Sequence, residues 1–281
     1  MKLAGFYLIA LLSVCQLNSH AQDLKIPDPS SGQRIEQDFG LGTISISYNR
    51  PNVKGRKILG SIEPYGIVWR TGANGATKIR LTDSVKIEGH WLAPGRYAFF
   101  TIPGATEYTV IFNNVPDQWG AYAYDSTKDA LRFKIKPVKL DKKLETLTYQ
   151  FANVITDQQC DFQVAWENTL LSMHLETDVD ARVMANIAQA MQGDNKPYYK
   201  AAIYYYNHSK DMKQALAWIE EVEKKQPDAY NVKYWKAKIQ LKGGDKQGAI
   251  KTANEGLKQA QAEPNVEYIR MNTEVIEAAG K

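Results

Sequence analysis

A chain of 281 residues with 35 Lys and Arg against 31 Asp and Glu, net charge +4, is long enough for one large core or two modest ones. Its charge is spread evenly rather than gathered in one domain, which argues against a nucleic-acid binder. Two cysteines, Cys15 and Cys160, are too few for a disulfide scaffold, and no apolar run reaches the about 20 residues that a membrane-spanning helix needs.

Taken in order, the chain begins with a secretory layout: Lys2, an apolar stretch over residues 3–14, then Ser19-His20-Ala21 as small-residue cleavage positions. Cleavage near Ala21 (signal segment 1–21) is expected, giving an exported protein, periplasmic or extracellular. Lipid anchoring at Cys15 is the less favoured alternative. A lipoprotein signal ends in a small residue, whereas Val14 is bulky and β-branched; Cys15 then serves as one more small hydrophobe.

Residues 22–176 read as β structure. Thr43 to Tyr48 alternate apolar and polar with period two, as do Leu131 to Lys136 and part of 144–151. Further strands are predicted over 66–70, 77–82, 85–88, 96–102, 107–113, 160–167 and 169–176. Turn signals at Ala93-Pro94-Gly95, Ile102-Pro103-Gly104 and Val115-Pro116-Asp117 separate them. Short strands without crossover helices predict an antiparallel β-sandwich, jelly-roll-like.

Near Thr177 the period becomes helical, with Val183, Ile187 and Met191 spaced by four. Pro197 suits a first helical position, and breaks follow at 209–211, 226–228, 243–245 and 263–265. Asp211 and Asp245 are 34 residues apart, as are Ala215 and Ala249, and Leu216 and Ile250. That is the tetratricopeptide period. The helical unit over 177–281 therefore resembles a tetratricopeptide bundle, making the chain an α+β multidomain protein. Tyr199, Ala202 and Tyr206 fall where the first helix wants apolar or aromatic groups, Pro227 closes the first repeat, and the second copy is degenerate. Helices over 178–192 and 265–279 are expected to cap the ends. Tyr198, Tyr204 and Tyr205 are candidate partner-binding residues for an envelope protein or peptide.

The densest feature is Tyr48-x-Arg50-Pro51-x-x-Lys54-Gly55-Arg56, followed by Gly66-x-Val68-Trp69-Arg70-Thr71-Gly72-Ala73-Asn74. With Leu92-x-x-Gly95-x-Tyr97, Tyr108 to Asn113 and Gln118-Trp119-Gly120, it resembles the family called domain of unknown function 2911, found mainly in secreted proteins of Bacteroidota. The resemblance covers about residues 29–176 and implies no defined activity. The family pattern commonly has Glu where this chain has Gly75, so any chemistry of that carboxylate is missing here.

Strand alternation places Ile44, Ile46, Tyr48 and Arg50 on one face, so that two arginines, Arg50 and Arg70, end strands at a core rim. The functional reading is a donor set for an anionic or carbohydrate ligand, built from Tyr48, Arg50, Lys54, Arg56, Trp69, Arg70, Asn74 and Trp119. The bland reading is that the arginines bond loop carbonyls or carboxylates such as Glu63 and Asp117, pinning the loop 51–64. His90, His174 and His208 lack ligand spacing, and Asp157 with Asp161 lacks a calcium loop. No catalytic residue, metal or cofactor is expected. The favoured reading is a non-catalytic binding or scaffold protein; the alternative is an enzyme acting on a glycan or acidic small molecule at the arginine-rich rim.

Overall fold

The computed structural model describes residues 26–156 and 158–281; the expected signal segment 1–21, Cys15 and Asp157 lie outside them. The chain divides after Thr177 into two compact units.

The first unit is a sandwich of two antiparallel sheets. One has the order β1-β2-β3-β6-β7-β8, from β1 (Ser31–Phe39), β2 (Gly42–Arg50), β3 (Thr77–Leu81), β6 (Gly95–Ile102), β7 (Tyr108–Asn113) and β8 (Asp129–Ile135). The other has the order β5-β4-β10-β9, from β4 (Val85–Ile87), β5 (His90–Leu92), β9 (Val138–Thr156) and β10 (Gln159–Glu176). The period-two pattern explains the packing. Ile44, Ile46 and Tyr48 of β2, and Ile79 and Leu81 of β3, enter the core, while Ser47 and Arg80 between them are exposed. Phe99 sits at the centre, edge-on to Phe112 at 5.3 Å and to Phe162 at 5.4 Å between ring centres.

Two sequence expectations change. The residues read as two strands, 160–167 and 169–176, form the single strand β10, which crosses a bulge at Glu167, φ 51°. No strand forms over 66–70, because Gly66 (φ 80°) and Thr71 (φ 49°) turn the chain at both ends; only Trp69 pairs, with Thr101. This segment and the loop 114–124 instead cover part of the outer face of the larger sheet. There Val68, Ile102, Ala121 and Tyr124 close a small second core around Ala76, Ala98, Phe100 and Ile111.

The second unit holds α1 (Asp180–Ala190), α2 (Tyr198–Asn207), α3 (Met212–Lys225), α4 (Tyr230–Lys242), α5 (Lys246–Ala262) and α6 (Val266–Gly280). Each of α2 to α5 packs on the helix that follows it, and α4 also touches α2 and α6. Asp211, Asp245 and Asn265 cap α3, α5 and α6 by accepting from first-turn amides. Ala202, Ala215, Ala237, Ala249 and Ala253 are fully buried where helices cross, because a methyl lets two helix backbones approach. Glu223 on α3 meets Lys233 (2.7 Å) and Lys236 (2.6 Å) of α4, and Lys233 also reaches Glu255 of α5 (2.8 Å). The end helices differ from the expectation of two packed caps. α6 buries Asn272, Val275 and Ala279, but α1 buries no residue and is tied down by Asp180, which accepts from Tyr204 (2.9 Å) and Lys210 (2.7 Å).

Candidate functional site

The two arginines that open the cationic motif each have Nε and Nη2 engaged within the fold. Arg50 Nε donates to Leu147 O and its Nη2 to Thr148 Oγ1, both at 3.1 Å, so the end of β2 is fastened to β9. Its partners are thus β9 groups, not Glu63 or Asp117. Arg56 folds back on its own turn, donating to Val53 O (3.0 Å) and Asn52 O (2.7 Å). The loop 51–64 is pinned from the opposite direction, by carboxylates of the smaller sheet. Glu145 accepts from the amide of Lys54 (2.6 Å), and Glu167 from those of Ile58 (3.3 Å) and Leu59 (3.0 Å). The bulge in β10 aims Glu167 at these amides, a re-aiming that bulges commonly provide. The Lys54 side chain is exposed, on a residue with φ 50°.

Tyr48 and Trp69 belong to the core, 4% and 6% exposed. The Tyr48 hydroxyl donates to Gln33 (2.6 Å) and accepts from the Tyr149 amide (3.0 Å). Trp69 stacks on Trp166 at 5.7 Å, and its indole N–H is buried with no hydrogen-bond partner among the described residues. Next to Arg70, Thr71 is a fully buried β-branched residue in the left-handed region, a conformation that costs about 1–3 kcal/mol. Its surroundings hold it there. Thr71 Oγ1 shares a 2.9 Å hydrogen bond with Thr101 Oγ1, and its carbonyl accepts from Tyr149 Oη (2.6 Å) and Thr77 Oγ1 (3.0 Å). Much of the motif is therefore a strained, hydrogen-bonded turn that sets the direction of Arg70.

Arg70 differs from the other two arginines. Its Nε is buried and has no hydrogen-bond partner among the described residues. The carboxyl of Glu63 lies near enough to feel its charge. Burial pushes Glu63 up to about 7, and Arg70 works against that rise. Near neutral pH this carboxyl is therefore close to half protonated. Gly120, φ 63°, lets the backbone pass close to the guanidinium: a β-carbon there would lie 3.1 Å from Arg70 Nη1 and 2.8 Å from the Tyr122 ring. Asn74, φ 57°, holds this strand of the site in place, its carbonyl accepting from the Gly120 amide (3.1 Å) while Gly75 pairs with Trp119. The same loops carry exposed aromatic groups, Trp119 (67% exposed), Tyr122, whose ring shares the space beside Gly120 with Arg70, and Tyr65. Of the residues expected from sequence, Arg70 stands here with the backbones of Asn74 and Trp119 on the adjoining turn, and Glu63 and Tyr122 join it.

A family model described as Protein of unknown function (DUF2911) matches residues 30–175. The chain belongs to this family. No curated protein and no solved structure matches the chain. The DUF2911 region thus coincides with the sandwich, and every residue of the Arg70 site lies within it. At Gly75 a β-carbon would meet only Gln118 O, at 3.8 Å, so the backbone there has room for a side chain.

Outside the DUF2911 region, the three tyrosines expected to face a partner have separate surroundings. Tyr205 packs against Trp218 (4.7 Å between ring centres) in the helical core, and Tyr204 stacks on His208 at 4.1 Å. Tyr198 borders a shallow recess with Tyr199 and Val222. A groove of about 330 Å³ lies instead along α2, α4 and α6, lined by Tyr206, Tyr234, Lys238, Leu241, Met271 and Val275. Lys238 Nζ sits 4.9 to 5.3 Å from the ring centres of Tyr206, Tyr234 and Trp235. Its spacing of four from Tyr234 on α4 was the one sequence signal for this groove. Among the described residues no group of three or more His, Cys, Asp or Glu is placed to hold a metal ion, and no helix is long and apolar enough to cross a membrane.

Proposed function

We propose that the DUF2911 sandwich is a non-catalytic ligand-holding domain of an exported protein, and that its ligand is an acidic sugar or a similar small carboxylate gripped by Arg70. The observation that carries this reading is the contrast among the arginines. Arg50 and Arg56 each spend Nε and Nη2 on backbone or threonine oxygens, while Arg70 keeps a buried Nε without a partner among the described residues. A guanidinium fork suits a carboxylate, and the exposed Trp119 and Tyr122 offer faces on which a sugar ring stacks. The helical unit, read as tetratricopeptide-like, docks an envelope protein or peptide through the α2–α4–α6 groove with its lysine and tyrosines.

A second reading draws on Glu63, whose carboxyl near 7 suits general acid–base work on a glycan. Hydrolysis of a glycosidic bond ordinarily uses two carboxyl groups. Glu145 and Glu167, the carboxylates that pin the loop carrying Glu63, are committed to amides, so the binding reading is preferred.

Calorimetric titration with glucuronate and galacturonate, with glucose as the neutral control, tests the proposal. Arg70→Ala should weaken binding of the acidic sugars by tenfold or more, while Trp119→Ala should weaken it less. Equal affinity in wild type and Arg70→Ala, or no preference for the acidic sugars over glucose, would sink it.

A further inference from the structure

The outer face of the larger sheet is covered on one side only. Beyond the small core under the loop 114–124, strands β1, β2, β3 and β6 leave a groove of about 350 Å³ lined by Arg34, Ser45, Ser47, Lys78, Arg80 and Arg96. These six come from four strands, and the pairing register makes them neighbours. Arg34 is opposite Ser47, which is opposite Lys78; Ser45 is opposite Arg80, which is opposite Arg96. Adjacent strands lie about 5 Å apart and same-face residues along a strand about 7 Å apart, so Lys78, Arg80 and Arg96 rise from one small patch of sheet.

The charges in this patch do not cancel. Arg34 pairs with Glu36 at 2.7 Å. Lys78 (2.6 Å) and Arg96 (3.2 Å) share one carboxylate, Asp117, which reaches over from the covering loop. Arg80 is exposed and has no ion pair among the described residues. It also stands directly opposite Arg96, and like charges opposed across a sheet weaken it. Four cations therefore face two carboxylates over a floor of serine hydroxyls. Such an arrangement is improved by an added anion that can accept from several donors at once.

We propose that this groove is a second binding site, for a tetrahedral oxyanion carried as a sulfate or phosphate monoester. Arg80 and Arg96 are its principal donors, Lys78 supplies a third charge, and Ser47 presents a hydroxyl at its floor. A tetrahedral monoester has three outward oxygens, enough for two guanidinium forks and an ammonium, which a carboxylate with two oxygens cannot serve. Asp117 is then a built-in competitor: it occupies donors of Lys78 and Arg96 that the ligand would take. This site does not depend on the Arg70 reading, since the two share no residue.

The test is a calorimetric titration at 150 mM NaCl with glucose 6-sulfate and glucose 6-phosphate, against glucose. Binding of the sulfate ester alone assigns a sulfated glycan, binding of the phosphate ester alone a phosphate ester, and binding of both the shared oxyanion; each supports the site. Arg80→Ala should weaken binding by tenfold or more, and Asp117→Asn should tighten it by about twofold to fivefold. Arg70→Ala should leave it unchanged, which separates this site from the one above. Thermal melting confirms that the exposed substitutions leave the fold intact. Absence of binding by both esters, equal affinity in Arg80→Ala, or weaker binding in Asp117→Asn would overturn the proposal.

Discussion

Replacing Glu167 by Ala should unlatch the loop 51–64 without touching its sequence. The wild-type carboxylate accepts from the amides of Ile58 at 3.3 Å and Leu59 at 3.0 Å, on residues that are 0% and 9% exposed. Each buried amide left unpaired costs about 1–3 kcal/mol. The first of these bonds is long and Leu59 is close to the surface, so the pair together should cost about 2–4 kcal/mol. The Lys143 ion pair at 3.8 Å adds little, because its lysine is about half exposed. Glu167 also sits at φ 51°, a strain that Ala keeps and Gly relieves. Glu167→Gly should therefore be the milder variant by up to about 1 kcal/mol, and Glu167→Gln, which keeps one acceptor, should fall between wild type and Ala. Urea denaturation of the three variants gives the ranking, and amide hydrogen exchange at residues 58 and 59 locates the effect. A loss below about 1 kcal/mol for Ala, or unchanged exchange at those two amides, would refute the latch.

Two further outcomes follow from the Arg70 site. Glu63 has a folded-state value of about 7 against an ordinary 4.5, so between those values the folded protein holds a proton that the unfolded chain has lost. That stability is complete below about 4.5 and gone once pH rises past about 7; Glu63→Gln should flatten the decline, as seen by thermal melting from pH 4 to 8. Acidic sugars should bind more tightly as pH falls through 7, since protonated Glu63 no longer competes for Arg70, and a pH-independent affinity would contradict this. Gly75→Glu, at a position where a β-carbon meets only Gln118 O, should change stability by no more than about 0.5 kcal/mol in urea denaturation. Gly72→Ala should lose more, because its β-carbon would sit 2.9 Å from Thr77 Oγ1, which is already bonded to Thr71 O.

Legibility in the sequence followed the range of the interactions. The helix boundaries were readable because their causes are local: Asp211 and Asp245 cap the helices they precede, and Pro197 and Pro227 interrupt the chain. The inward residues of β2 were readable from period two. β1 was missed because its partly buried positions alternate Gln33, Ile35 and Gln37 before Phe39, an edge strand with few apolar residues. The destination of Arg50 was not readable, since its partners lie 97 and 98 residues away on another sheet. Trp69 falls among the residues expected to hold a ligand, and only tertiary packing turns it against Trp166. The meeting of Arg80 with Arg96 depends on strand register, which the sequence of neither strand states.

The latch carboxylates also order events in time. Glu145 and Glu167 are synthesised about a hundred residues after the loop amides they accept, with separations of 91, 109 and 108 residues. Contacts so distant in the chain close late, after the entropy of a long intervening loop has been overcome. The cationic loop should therefore be the last part of the sandwich to set, once the β9–β10 hairpin has docked. Substitutions at Glu145 and Glu167 should then speed unfolding while leaving the refolding rate nearly unchanged. A nascent chain that ends before residue 145 carries the whole recognisable motif from Tyr48 to Asn74, yet lacks the groups that give it a shape.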